Sequence, residues 1–244
     1  MIKPYTLALV LLYCTTFSYN RVLGQNNTAD SAQLRQTTAS MSALFISSVG
    51  EQSRLYNGPS YVGYGFASKT NANFNDTTAF GIGAVKYDGM AYTNVPLKFD
   101  MYSDILISRV SRGELAYCLV AEKVTSFDLF RHHFIMLGAD SVGKDMDPGY
   151  YDALYDKKIR LVARRTKFLQ QISAIEQTFV KKNVYYLKKG NTWYNVNSQS
   201  KFLDALKDKQ KELKQYLKDN KINFSDNPEE AMTMLAAYYD HLTK

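Results

Sequence analysis

The chain has 244 residues, 45% hydrophobic and 22% charged, enough for one large or two small domains. Its formal charge of +7 is uneven: residues 25–150 sum to −2, residues 151–244 to +7, and Lys3 with Arg21 supply the rest. No segment approaches the roughly 20 apolar residues that cross a bilayer as a helix, so a spanning helix is not expected.

The first residues read as an export leader. Lys3 gives a positive start, and Thr6 to Tyr13 (TLALVLLY) is an apolar run of about eight residues, the length of a signal-peptide core. Val22-Leu23-Gly24 offers a cleavage site before Gln25, so residues 1–24 are expected to be removed, leaving a periplasmic or secreted protein. Leu11-Leu12-Tyr13-Cys14 loosely resembles a bacterial lipobox, but Tyr13 stands where that motif takes a small residue. Export without a lipid is the expectation. Removing Lys3 and Arg21 lowers the charge from +7 to +5 and leaves Cys118 as the one cysteine, so no intrachain disulfide can form. Cys118 lies in an apolar run and reads as a small hydrophobe.

Ser31 to Ser48 has helical spacing, with Leu34, Met41, Leu44 and Phe45 on one face of an amphipathic helix. Leu55 to Tyr64 (LYNGPSYVGY) is dense in tyrosine around an Asn-Gly-Pro turn, and residues 65–81 read as a surface loop. The stretch Val85 to Val110 is the centre around which the remaining strands are arranged. Tyr-Asp-Gly is a hairpin turn signal, and beyond it Ala91, Thr93, Val95, Leu97 and Phe99 alternate onto one strand face. Residues 100–104 reverse the chain into a strand at Ile105 to Val110.

Further strands are expected at Glu114 to Ala121, at Val124 to Phe130 and at His133 to Leu137, the last two separate or joined by a bend at Arg131. A loop spans 138–149. Hairpins then occur across Asp156-Lys157-Lys158 and across Lys188 to Asn191. Phe168 to Phe179 is ambiguous, because Phe168, Ile172, Ile175 and Phe179 would align on a helix. Asn197 and Ser198 can cap a helix with Leu203, Leu206, Leu213 and Leu217 inward. Its outer face carries Lys201, Lys207, Lys211, Lys214 and Lys218. A last helix starts at Asn227-Pro228 with Glu229 and Glu230 in its first turn. The sum is an α+β fold, an antiparallel β meander of about seven to nine strands with an N-terminal amphipathic helix and two C-terminal helices. Residues 1–24 form the leader, 25–197 the sheet domain with its N-terminal helix, and 198–244 a helical pair packed on the sheet.

The motifs LYNGxxYxxY (Leu55 to Tyr64), YDGxxYxNVPL (Tyr87 to Leu97), GYYxxLYD (Gly149 to Asp156) and the final YYD (Tyr238 to Asp240) carry a resemblance. Together they resemble an uncharacterised family of exported proteins from the Bacteroidota. That resemblance implies export; the family has no assigned activity or catalytic residues, so it implies nothing about chemistry.

Signals for chemistry are sparse. HExxH, CxxC, GxSxG and phosphate-cradling glycine loops do not occur, and neither metal nor cofactor is expected. His132 and His133 are adjacent and point to opposite strand faces, while Asp128 and His132 share a face if their strand is unbroken. Nineteen tyrosines stand against one tryptophan. Tyr56, Tyr61, Tyr64, Tyr150 and Tyr151 could form a platform for sugar rings or a peptide, but the preferred reading is that they pack across strands. The preferred reading is a non-enzymatic exported protein that binds a small ligand or an envelope partner, without nucleic acid. The lysine-rich helix would touch an anionic membrane weakly at most. Two alternatives are a carrier enclosing a lipid in a curved sheet and a hydrolase of an envelope polymer, which would need two carboxylates, or Asp128 with His132, converging in an open cleft.

Overall fold

The computed structural model describes residues 33, 36–37, 40–41, 54–66, 68–109 and 115–243. The expected leader, Cys14 and most of the expected Ser31–Ser48 helix lie outside the described residues; Gln33, Gln36, Thr37, Ser40 and Met41 of that helix are helical.

The meander begins as the hairpin β1 (Gly81–Tyr87) and β2 (Met90–Asp100), turning at Asp88 and Gly89, both at positive φ. Its alternation corrects the expected one. Val95, Leu97 and Phe99 face inward, but so does Tyr92, while Ala91 and Thr93 are exposed. The cause is a bulge: Gly83 pairs with Val95 and Ala84 with Thr93, leaving Asn94 unpaired at φ 56°. One extra residue inverts every side chain on one side of it.

At the end of β2 the buried Asp100 carboxylate accepts the N–H groups of Tyr102 (2.9 Å) and Ser103 (3.1 Å), turning the chain into β3 (Ile105–Arg109). The short β4 (Ala116–Cys118) comes next. Five residues then lead to β5 (Val124–Leu129), which pairs with β1 on the side away from β2. Crossing four flat strand spacings would need about 19 Å, and this link, with one 3-10 turn at Ala121–Lys123, spans at most about 16 Å. The sheet must therefore curl. Strands β6 (His132–Leu137), β7 (Gly149–Asp156), β8 (Ile159–Gln171), β9 (Gln177–Lys189) and β10 (Thr192–Asn195) add in sequence, completing ten antiparallel strands rather than seven to nine.

The added length comes from Phe168 to Phe179. It is not a helix but the end of a 13-residue hairpin, paired without a break from Ile159↔Lys189 to Gln171↔Gln177. β-branched Thr166, Thr178 and Val180 lie in the paired strands and favour that outcome over a helix.

Inside the curl, Phe99, Phe127, Phe134 and Tyr150 meet with ring centroids 4.7–5.7 Å apart, surrounded by Tyr87, Leu97, Leu106 and Leu129. Aromatic side chains fill the interior of the curl. The same sheet face continues into a second core, where Ile159, Leu161 and Leu187 are covered by helices α1 (Gln199–Ala205), α2 (Gln210–Asp219) and α3 (Pro228–Leu242). Three C-terminal helices replace the expected two. The lysine-rich helix breaks at Leu206, whose backbone leaves the helical region while its side chain stays buried. The tight turn beyond it presents Asp208 to Lys189 (2.5 Å) and to the Tyr239 hydroxyl (2.9 Å). At α3, Asn227 caps Glu230 N–H and donates to the Glu230 carboxylate at 2.9 Å, as its sequence position implies.

A polar seam separates the two cores. Arg165 on β8 donates to Asp152 on β7 (2.7 Å) and makes a two-pronged bond to Glu229 in the first turn of α3 (2.8 and 2.9 Å). Tyr185 donates to the same glutamate at 2.8 Å. Burial alone would raise the Glu229 pKa, but Arg165 and Tyr185 hold it below the ordinary glutamate value. A depressed folded pKa stabilises fully above the unfolded value, and the gain is lost as pH falls through the folded one. Urea melts from about pH 7 to about pH 3 should therefore show Glu229→Gln less stable than wild type near neutrality and equal to it at the acid end. A gap that stays constant with pH would remove Glu229 from this role.

Candidate functional site

The expected tyrosine platform divides. Tyr56 stands edge-on to Tyr117 at 5.5 Å against the first core. Tyr61 and Tyr64 come together, both donating to one oxygen of Asp100 at 3.1 and 2.7 Å. Burial first, and that carboxylate second, push both phenols well above their usual value. Tyr150 and Tyr151 are buried on opposite faces of β7, in different cores. Among the described residues the Tyr150 hydroxyl has no hydrogen-bond partner, whereas Tyr151 donates to Asp147 O at 2.7 Å.

The histidines also rearrange. A hairpin turn at Phe130-Arg131, both at positive φ, separates β5 from β6, so Asp128 and His132 do not share one strand. Asp128 instead meets His133 across the strands at 2.6 Å, and His132 meets the buried Asp152 at 2.7 Å. Asp152 already holds Arg165, so the carboxylate beside His132 has a structural partner, whereas Asp128 and His133 form an exposed pair. Among the described residues no group of three or more histidine, cysteine or acidic side chains is placed to hold a metal ion.

The site with the most concentrated chemistry lies on the opposite sheet face, at the end of β8, β9 and β10. Register builds it. Asp156 pairs with Arg160, Arg160 with Lys188, and Lys188 with Trp193, so one row of four side chains crosses four strands on one face. Arg160 makes a two-pronged bond to Asp156, both contacts at 2.8 Å, which uses two of its five donors. Lys188 lies over the indole of Trp193, 5.5 Å from the ring centroid. Arg160 and Lys188 are therefore like charges directly opposite each other, an unfavourable pairing.

The loop 138–149 closes one side of this row. It is fastened from below by two buried tyrosines, Tyr151 to Asp147 O and Tyr186 to Asp145 O (3.1 Å). From the side, the Trp193 indole N–H donates to Ser141 O at 3.0 Å. The loop passes so near that a Cβ on Gly143 would fall 2.9 Å from the Trp193 Cβ. The result is a groove of about 290 Å³ lined by Leu137, Asp140, Ser141, Val142, Arg160, Lys188, Asn191 and Trp193. A second depression of about 210 Å³ continues past Arg160 and Lys188 to Lys157 and Lys158. A fixed aromatic face, hydroxyl and amide groups, and a cation pair can together hold a ring that carries a negative charge.

Sequence reading placed both turns that bound this groove but not the groove itself. The signal was the single tryptophan two residues past the Gly190-Asn191 turn. No family model, curated protein or solved structure matches the chain.

The partnerless Tyr150 hydroxyl gives a direct check on the tyrosines. Tyr150→Phe should leave the melting midpoint unchanged or slightly higher, because it removes a buried group that has no hydrogen bond. Tyr150→Ala should cost about 3–5 kcal/mol in denaturant unfolding, as for other buried aromatics. A clear loss of stability in the phenylalanine variant would mean that the hydroxyl has a partner.

Proposed function

We propose that this is an exported, non-enzymatic binding protein whose groove takes an acidic saccharide, a sugar ring bearing a carboxylate. The carrying observation is the Arg160–Lys188–Trp193 row: two cations side by side in register, next to an aromatic face whose tilt is fixed by Ser141. Placing like charges together costs stability in the free protein, and an anion lying between them offsets that cost. Asp140 and Asp156 give the groove a polar rim suited to sugar hydroxyls, and Asp156 keeps Arg160 extended along the row.

The leader at residues 1–24 supports a location where such polymers are met. Membrane passage through the described part would need another means, since no helix among the described residues is long and apolar enough to cross a bilayer. The filled aromatic interior favours this reading over a lipid carrier. The commitment of Asp128, Asp152 and Asp156 to His133, Arg165 and Arg160 favours it over hydrolysis by paired carboxylates.

Trp193 is the chain's one tryptophan, so its fluorescence reports the groove without a label. Titration with an oligouronate should shift or quench that emission, and a neutral oligosaccharide of equal length should leave it unchanged. Lys188→Gln should abolish the response while keeping or raising the melting temperature, because it relieves the opposed charges, a term of about 0.2–1 kcal/mol. Equal responses to the neutral and acidic sugars would sink the proposal, as would no response to either.

A further inference from the structure

At the opposite end of the same two strands lies a surface of another kind. β7 last pairs with β8 at Ala163, and β10 last pairs with β9 at Tyr186. From Arg164↔Val184 to Gln171↔Gln177 the pair continues beyond its neighbouring strands, flanked on the β8 edge by Met101, whose carbonyl accepts from Lys167 N–H, and close to its end on the β9 edge by Ser68 and Thr70, which meet Gln177 and Phe179. At about 3.4 Å per residue this ribbon is about 27 Å long. Its end is apolar and uncovered. Ile175 is 92% exposed, Ile172 50% and Phe168 46%. Tyr102 and Phe66 are also exposed and reach the ribbon through Phe179, at ring distances of 5.4 and 5.9 Å. Five of the eleven large apolar side chains exposed among the described residues thus gather at one extremity, a concentration that marks a contact surface.

We infer that this ribbon end docks on an anionic lipid bilayer. Three observations favour lipid over a protein partner. First, the turn closes its own backbone: Ile172 N–H and Ser173 N–H both donate to Glu176 O, at 2.9 and 3.2 Å, so little unsatisfied backbone would enter the interface.

Second, the charges suit a negatively charged surface. Glu176 is neutralised by Lys69 at 3.0 Å, and Asp76 by Lys167 at 2.8 Å and by Lys181, while Lys182 adds an exposed cation. Asp100 is withdrawn under Tyr61 and Tyr64.

Third, the exposed apolar set comprises five side chains, far fewer than the roughly 20–30 residues that a specific protein contact uses on each partner. Aliphatic residues at the tip, tyrosine behind them and lysine behind those reproduce the order in which side chains enter a bilayer interface. The docking is separate from the saccharide groove, which faces away at the far end of β9, and it holds whether or not that groove binds a sugar.

Flotation of the full chain with vesicles of phosphatidylcholine and phosphatidylglycerol tests the inference. Wild type should float, and Ile175→Asp and Ile172→Asp should each reduce partitioning by about tenfold or more. Because Ile175 is almost fully exposed, its replacement should leave the far-UV spectrum and melting temperature unchanged. Binding should weaken but persist in about 0.5 M salt, since the apolar part is not screened. Lys214→Glu on α2 should change nothing. A second readout isolates the tip from the leader, which all variants share. Ile175→Trp should be quenched by brominated acyl chains, and wild type, with its tryptophan at the other end, should not. Failure of that quenching overturns the inference, as does Ile175→Asp floating like wild type. Dimerisation abolished by Ile175→Asp without vesicle binding would assign the tip to self-association and overturn it too.

Discussion

A single guanidinium determines how the two halves of this sheet fit together. Arg165 sits where one face passes from the inside of the curl to the floor beneath the helices, with only 8% of its side chain exposed. Such a charge cannot be left alone in a low-dielectric interior; removing one partner of a buried pair typically costs about 3–5 kcal/mol. Its partners come from three directions: Asp152 from the neighbouring strand, Glu229 from the first turn of α3, and through Asp152 the imidazole of His132. Burial alone would lower the arginine pKa, but the two carboxylates hold it raised, so it stays charged throughout the folding range. The seam therefore fixes the placement of α3 as well as satisfying Arg165. A hydrophobic seam would have merged the two cores and left the helix free to slide.

Much of this was legible in the residues. Turn chemistry at Asp88-Gly89, at residues 100–104 and at 156–158, and the Asn227-Pro228 helix start, all concern neighbours in sequence, and each stands where local physics puts it. What could not be read depended on distant partners. The bulge at Asn94 leaves no mark on the alternation of hydrophobic residues, because Tyr92 is amphipathic enough to suit either face. The helix break at Leu206 serves contacts with Lys189 and Tyr239 that lie far away along the chain. The segment Phe168 to Phe179 satisfies a helical period and a strand period alike, and only thirteen cross-strand pairs decide between them.

That ambiguity also hid the site. With residues 168–179 read as a helix, Arg160 and Lys188 belong to separate hairpins and have no reason to meet. Once β8 and β9 pair along their whole length, the register aligns Arg160, Lys188 and Trp193 at one end and carries the exposed Ile172 and Ile175 to the other. The tyrosines that stood out in sequence have supporting roles here: Tyr151 and Tyr186 fasten the loop that roofs the groove, and Tyr61 and Tyr64 enclose Asp100. Their abundance reflects a fold that ties loops to its sheet through phenol hydroxyls.

The closing of the curl bears on how this protein behaves at high concentration. An open sheet of ten strands offers two borders where another chain might add a strand, the usual route to aggregation. Here one border, β4, is three residues long and is already occupied by Pro59 to Tyr61, through Cys118 N–H to Pro59 O at 2.8 Å and Tyr61 N–H to Ala116 O at 2.9 Å. The other, β10, is four residues long and runs directly into α1. Where β9 extends past β10, its side chains include Lys181 and Lys182, whose charges repel a second copy of the same strand. A large sheet can thus stay monodisperse without becoming a closed barrel, because its borders are short, covered or charged.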